Sequence, residues 1–280
     1  MSNGAFKNYE KKMTDWQLTP SSNRWSYWRH AIISICIILI ISTVYWRYTI
    51  EDRDLIQRNF WDVFYDRCSL IYDSVDWLTF DATQKLRLRV FDYLPTANII
   101  NAKNESYNIL EVGLGTGRLH VELARRFNPQ ESPSDDGFYL AGFDMAPGML
   151  QLTRKRLNGL KSDLRIGDVT QVLPWDDDTF DVVLSTFVLS AISDATAACR
   201  EMSRVLKPGG KLIIVDAGAA QDGNRVASVL AWLWELLGDY MRDESAIISQ
   251  LGLNATREDY GPWDSVHVTV GEKTESDDQQ

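Results

Sequence analysis

The chain predicts an α/β fold with a mostly parallel sheet, on three observations. Short apolar runs recur at 109–112, 138–143, 164–166, 180–184 and 211–216, each of strand length and rich in residues suited to burial on both faces. Segments of helical spacing lie between them, as at Leu119, Leu123 and Phe127. The first run, Ile109-Leu110-Glu111-Val112, breaks directly into Gly113-Leu114-Gly115-Thr116-Gly117 and then into a helix. A glycine turn there lets backbone amides of the helix start approach a ligand closely.

Composition bounds the rest. A chain of 280 residues, 45% hydrophobic and with ten tryptophans, holds one large domain with accessories. The net charge is −10, yet residues 1–46 carry five Lys or Arg against Glu10 and Asp15, so the main domain is the acidic part. An acidic domain has no general attraction to phosphate backbones, which argues against nucleic acid as a partner. Cys36, Cys68 and Cys199 are too few and too far apart for a disulfide framework or a zinc site, which fits a reducing compartment.

Residues 1–30 are polar without apolar periodicity and read as a flexible tail. Residues 31–46 carry no charge and are dominated by isoleucine, covering about 24 Å as a helix at ~1.5 Å per residue. That is slightly short for a bilayer. Trp25, Tyr27, Trp28, Tyr45, Trp46 and Tyr48 supply interfacial aromatics and Arg29 and Arg47 can snorkel, so a single transmembrane anchor is expected. A buried core helix and a signal peptide are the alternatives. Residues 47–106 alternate aromatics and aliphatics with charges and predict a cap of two or three amphipathic helices, ended by Pro95 and the polar run 101–106.

The expected core spans 107–271. After the polar loop 128–137, the second strand ends in Asp144, whose two oxygens can accept both hydroxyl hydrogen bonds of a ribose, although an acid there can also cap a helix. Pro147 opens the next helix, with Met149, Leu150, Thr153 and Leu157 on one face. Gly167-Asp168-Val169 forms a turn whose acid and amide can read an adenine edge, or an ordinary Gly-Asp turn. The fourth strand exits at Ser185-Thr186-Phe187 into the same cleft. A helix over 195–205 then leads to a Lys207-Pro208-Gly209-Gly210 turn before the fifth strand. Beyond Asp216, Val226, Leu230, Leu233, Leu237 and Tyr240 form an apolar stripe in a helical insertion containing Trp232 and Trp234. A helix over 243–252 and a hairpin pairing 255–260 with 265–270 close the core. Residues 272–280 read as a disordered tail.

The first motif is G-x-G-x-G with Arg118 at its sixth position, which does not fit the G-x-G-x-x-G of dinucleotide folds. Together with Asp144-Met145-Ala146-Pro147-Gly148-Met149-Leu150, Gly167-Asp168, Phe180-Asp181-Val182-Val183 and Val205-Leu206-Lys207-Pro208-Gly209-Gly210, it resembles the type 11 group of class I S-adenosylmethionine-dependent methyltransferases over residues 107–216. The resemblance implies a Rossmann-like class I methyltransferase sheet with a C-terminal antiparallel hairpin, and S-adenosyl-L-methionine as cofactor. It also implies cofactor contacts from Glu111, Gly113, Gly115, Thr116, Gly117, Asp144, Met145, Asp168 and Val169, with Ser185 flanking the methionine end. Ile71-Tyr72-Asp73 is similar to a short cap motif of quinone and phospholipid methyltransferases, which makes Tyr72 a candidate substrate contact beside Trp234.

Methyl transfer from a sulfonium is an in-line displacement that needs alignment and exclusion of water, and no metal. His30, His120 and His267 are poorly placed as bases and read as structural. No Asn-Pro-Pro-Tyr-like loop follows the fourth strand, where Ser185-Thr186-Phe187-Val188 stands, so no catalytic signature names the acceptor. The expected function is a membrane-anchored methyltransferase acting on a small lipophilic acceptor. A cofactor-binding assembly factor without turnover and a nicotinamide-dependent oxidoreductase are the alternatives. Cofactor supply and the unpaired cysteines place the domain on the cytosolic side or in a mitochondrial compartment, against a weak positive-inside signal from the basic N-terminus.

Overall fold

The computed structural model describes residues 82–95, 106–127, 138–218, 239–260 and 265–274, together with 221, 224–225, 228–229, 231–232 and 235. The expected tail and anchor (1–46), most of the cap with Tyr72, the loop 128–137, and Trp234 lie outside the described residues. Among the described residues no helix is long and apolar enough to cross a membrane.

Seven strands form one sheet: β1 (Tyr107–Val112), β2 (Phe138–Asp144), β3 (Asp163–Ile166), β4 (Phe180–Thr186), β5 (Leu206–Ala217), β6 (Leu253–Tyr260) and β7 (Val266–Lys273). Their order is β3-β2-β1-β4-β5-β7-β6. The first five run parallel and β7 inserts antiparallel between β5 and β6. The helices are α1 (Ala82–Arg87), continued by a 3-10 turn at Leu88–Asp92, α2 (Arg118–Phe127), α3 (Pro147–Leu157), α4 (Ala195–Arg204) and α5 (Glu244–Gln250), with a second 3-10 turn at Leu189–Ala191.

Both sheet faces are buried because parallel strands connect through helices. Alternate residues serve opposite faces. Leu110, Val112, Val183, Leu212 and Ile214 pack with Ala198, Cys199, Met202 and Ile248 of α4 and α5. Ile109, Val182, Leu184, Ile213 and Val215 pack with Leu119, Leu123 and Phe127 of α2, and with Val90 and Leu94 beside α1. Consecutive connections thus leave β1 and β4 toward opposite faces, and a crevice opens at the carboxyl ends of these neighbours.

Three expectations are corrected. The Lys207-Pro208-Gly209-Gly210 stretch lies within β5, which begins at Leu206, and the pairing with β4 shifts register between Phe180 and Val182. A bulge absorbs the proline and the positive φ of Gly209 without ending the strand. The last strand runs to Lys273, whose Nζ donates to Leu206 O and Ser203 O, so 272–273 belong to the sheet and not to a tail. Tyr240 sits in an irregular segment before α5, outside any helical stripe, and Val229 and Trp232 of the insertion are exposed.

Burial, and not hydrophobicity alone, sets the cost of losing a side chain. Leu184→Ala, at a fully buried position in the central strand β4, is expected to destabilise by about 2–5 kcal/mol. Val172→Ala, at a residue 78% exposed, should stay within about 0.5 kcal/mol. Urea unfolding midpoints of the two variants check this, and equal losses would contradict the core assignment.

Candidate cofactor and acceptor site

The turn after β1 is built for close approach. Gly113, Gly115 and Gly117 all have positive φ, between 52° and 76°. Gly113 donates its N–H to Phe143 O of β2 at 2.7 Å, and a Cβ on Gly113 would lie 2.1 Å from Val188 Cγ2. A Cβ on Gly117 would lie 2.4 Å from Thr153 Oγ1, so that glycine serves the packing of the turn against α3. Gly115 has open space where its Cβ would be, and faces a cavity. From below, α3 pins the turn: Arg156 Nη1 donates to Thr116 O and Thr116 Oγ1, both at 2.9 Å, and Thr153 Oγ1 donates to Gly115 O at 3.3 Å.

Asp144 closes the turn onto the tip of β2. Its Oδ2 accepts the Gly115 N–H at 2.8 Å and its Oδ1 accepts the Ala146 N–H at 2.9 Å. Ala146, in extended conformation, precedes α3 without a side-chain cap, and Pro147 opens the helix. The Met145 amide adds to these bonds, and the carboxylate, with about four acceptor sites, keeps capacity for a further donor. Burial pushes this carboxyl up to about 6, with Glu111 adding to the rise and the backbone amides opposing it.

The cavity at the carboxyl ends of β1, β2 and β4 has a volume of about 420 Å³. Glu111, Gly113, Gly115, Thr116, Asp144, Met145, Asp168 and Val169 all line it. Gly117 and Ser185 do not. Strand alternation explains Ser185: it shares the face of Val183, its Oγ is buried without a partner, and Thr186 and Phe187 border the cavity instead. Glu111 shares the face of Ile109, toward α2, where its Oε2 lies 2.9 Å from His120 Nδ1. His120 Nε2 in turn lies 2.7 Å from Ser162 Oγ. Asp168 is an exposed rim residue whose Oδ1 accepts the Thr170 N–H and hydroxyl, both at 2.8 Å.

Phe187, expected at the exit of the fourth strand, lines the cavity with Val188 beside it, while Arg87 of α1, Ile192 and Tyr240 line it from outside the motifs read in the sequence. Tyr240 was read only as part of an apolar stripe, and no local pattern marks Arg87 as a cavity residue. The wall formed by the Leu189–Ala191 turn is clamped from the segment before α5. Arg242 donates to Leu189 O at 2.8 Å, Ile192 O at 2.6 Å and Ser193 O at 2.7 Å. Asp216 Oδ2 accepts the Ser190 N–H at 3.1 Å, and Tyr240 N–H donates to Ser190 O at 2.7 Å. Burial and the nearby Glu244 push Asp216 up to about 6. His267, fully buried, contacts Glu244 through Nε2.

Residues 110–214 match the family model described as methyltransferase domain. The ubiquinone/menaquinone biosynthesis C-methyltransferase UbiE of Geobacter sulfurreducens is 33% identical over 116 residues, 40% of this chain and 43% of that protein. A demethylmenaquinone methyltransferase of Tropheryma whipplei is 34% identical over 111 residues, 39% of this chain and 41% of that protein. A malonyl-[acyl-carrier protein] O-methyltransferase of Halorhodospira halophila is 31% identical over 134 residues, 48% of this chain and 41% of that protein. The chain thus spans under half the length of these curated relatives. Among solved structures, a SAM-dependent methyltransferase from Thermotoga maritima aligns with a TM-score of 0.56 at 18% identity, covering 76% of this chain and 99% of that one. At this identity the likeness concerns the fold.

The contact between Gly113 and Val188 yields a paired test. Gly113→Ala should destabilise strongly, and adding Val188→Ala should recover the steric part while leaving about 1–3 kcal/mol of strain from the positive φ. Thermal unfolding of both variants checks this, and additive losses would overturn the close approach. The glycine turn and its closure by Asp144 thus lie inside residues 110–214, the segment that is similar to a methyltransferase domain.

Proposed function

We propose that the chain transfers a methyl group from S-adenosyl-L-methionine to a small lipophilic, quinone-like acceptor at a membrane surface. The observation that carries the reading is the Gly115–Asp144 closure at the edge of a cavity of about 420 Å³, a size suited to a small ligand. In this reading Asp144 accepts the ribose hydroxyls with its remaining lone pairs, and Met145, 45% exposed over the cavity, lies against the adenine. Asp168 and the Val169 amide read the adenine edge. Glu111, Asp144, Asp168 and Asp194 give the lining an acidic character that suits a cationic cofactor. The cofactor, when bound, supplies an electrophilic methyl group on a sulfonium.

The chain's own residues then align and shield. Phe187, Val188 and Ile192 wall the cavity beside β4 with apolar surface, and the Arg242 clamp holds that wall in place. A dry, apolar wall favours an acceptor that partitions into lipid, as the names of the quinone-methylating relatives also suggest. Residues 31–46 would tether the domain at the source of such an acceptor, with the catalytic domain on the cytosolic side or in a mitochondrial compartment. Tyr72 of the 47–106 cap and Trp234 of the insertion are the candidate acceptor contacts outside the described residues.

Ribose hydroxyls donate to the ionised form of Asp144, so cofactor affinity should fall as the pH drops through about 6. Asp144→Asn should lose about 1–3 kcal/mol of binding and that pH dependence together. Calorimetric titration with S-adenosylhomocysteine across this range is the check, and a pH-independent wild type would contradict the role. For the acceptor, membranes incubated with methyl-labelled cofactor should yield label in a quinol fraction of the lipid extract. Deleting residues 1–46 should lower that transfer while leaving cofactor affinity unchanged. Label confined to protein, nucleic acid or water-soluble metabolites would sink the acceptor class, and no label at all would favour a binding factor without turnover.

A further inference from the structure

Among the described residues lining the cavity, the cationic side chains are Arg87 and Arg118, with no Lys or His. Their positions differ. Arg118 opens α2 directly behind the glycine turn, at the end of the cavity that would take the cofactor. Arg87 comes from α1, and its guanidinium carbon lies 5.3 Å from the centre of the Phe187 ring. Phe187 follows the tip of β4, on the opposite side of β1 from β2 and β3. Its backbone is held in the left-handed region, φ 57°, by an N–H bond to Val215 O at 2.8 Å. A non-glycine residue kept there presents its ring at a defined place, and the guanidinium lies over it within cation–π reach.

We propose that Arg87 binds the ionised oxygen of a hydroxylated aromatic acceptor stacked near Phe187. The proposal rests on the methyltransferase reading and deepens it by naming the group that recognises the acceptor and activates it. A guanidinium has five donors, no acceptor and no accessible neutral form, so Arg87 does not act as a base. Its charge instead favours the phenolate, lowering an aromatic hydroxyl from its ordinary value near ~10 by about 1–3 pH units. The hydroxyl proton then leaves to solvent before transfer. Oxygen, or the ring carbon conjugated with it, forms the new bond to the methyl carbon. The sulfur–methyl bond breaks with its electron pair staying on sulfur, which neutralises the sulfonium. When carbon is the nucleophile, the ring proton it carried departs to water. This accounts for a lining that, among the described residues, holds acids and arginines but no histidine or lysine, and whose one carboxyl raised to about 6, Asp144, is assigned to the ribose.

The test reads ionisation directly, without turnover. The full-length protein, saturated with S-adenosylhomocysteine, is titrated with 4-nitrophenol at about pH 6, where the visible phenolate band reports the ionised form of the bound probe. Wild type should hold the probe as phenolate, with its apparent pKa lowered by about 1–2 units; Arg87→Gln should hold it protonated or bind it at least 10-fold more weakly. Arg87→Lys should restore part of the shift, since charge returns without the guanidinium's fork of donors. Cofactor affinity of Arg87→Gln should stay within about 2-fold by calorimetry, with the ~10-fold probe effect exceeding it clearly. An equal phenolate fraction in wild type and Arg87→Gln overturns the proposal, as does loss of cofactor affinity in step with loss of the probe. Benzoate binding that is tighter than nitrophenol binding and independent of pH would assign the guanidinium to a carboxylate acceptor and overturn it too. A retained phenolate shift with no methyl transfer to any hydroxyaromatic supports the Arg87 assignment while removing the proposed activity, so the two readings fail separately.

Discussion

The hydrogen bond from Gly115 N–H to Asp144 Oδ2 is the contact on which the geometry of the crevice depends. It joins the loop leaving β1 to the tip of β2, beside the β1–β4 boundary where the connections leave toward opposite faces. The bond joins a residue of positive φ at 115 to an acid of short reach at 144, and it satisfies a turn amide three positions before α2. Around it the structure adds support from α3 through Arg156 and Thr153, so the turn is held from both sides. A buried carboxylate that is hydrogen-bonded but not ion-paired resists ionisation, and this is the physical reason for its raised pKa.

Among the described residues, a buried histidine meets a buried carboxylate on each sheet face. On the α2 face His120 meets Glu111, and on the α5 face His267 meets Glu244. The first pair sits beneath the cavity and is completed by Ser162, whose hydroxyl donates to Leu140 O at 3.1 Å. The second pair leaves His267 Nδ1 and Glu244 Oε1 without partners among the described residues, in a part of the core that also holds Asp216. Polar groups buried in this way cost more when half-satisfied than an apolar core would, and the Arg242 clamp and the Ser190 contact with Asp216 satisfy part of the polar cluster behind the Leu189–Ala191 turn.

Much of the architecture was readable because the physics that sets it is local. A two-residue period marks strands, a 3.6-residue period marks helices, and glycine at alternate positions marks a turn with positive φ; these are properties of neighbouring residues. The five parallel strands, α2, α3, α4 and the closing hairpin therefore stand where the spacing put them, with ends displaced by one to five residues. The displaced ends have specific causes. A bulge carries β5 through a proline and two glycines, and pairing with β5 and β6 carries β7 past its last apolar residue to Lys273.

What the sequence determined by itself was the fold class and the residues of the glycine turn and Asp144, because each is set within a strand, a turn and a helix, while the cofactor class followed from the resemblance those motifs carry. What only the tertiary structure decided was how side chains from distant segments share one cavity. Ser185 and Thr186 differ in role because the sheet buries one face of β4 and opens the other at its tip. Glu111 turns toward His120 because the register of β1 against α2 puts it there. Arg87 meets Phe187 across a hundred residues of sequence through packing of α1 against the sheet edge of the cavity, a contact with no local period to announce it.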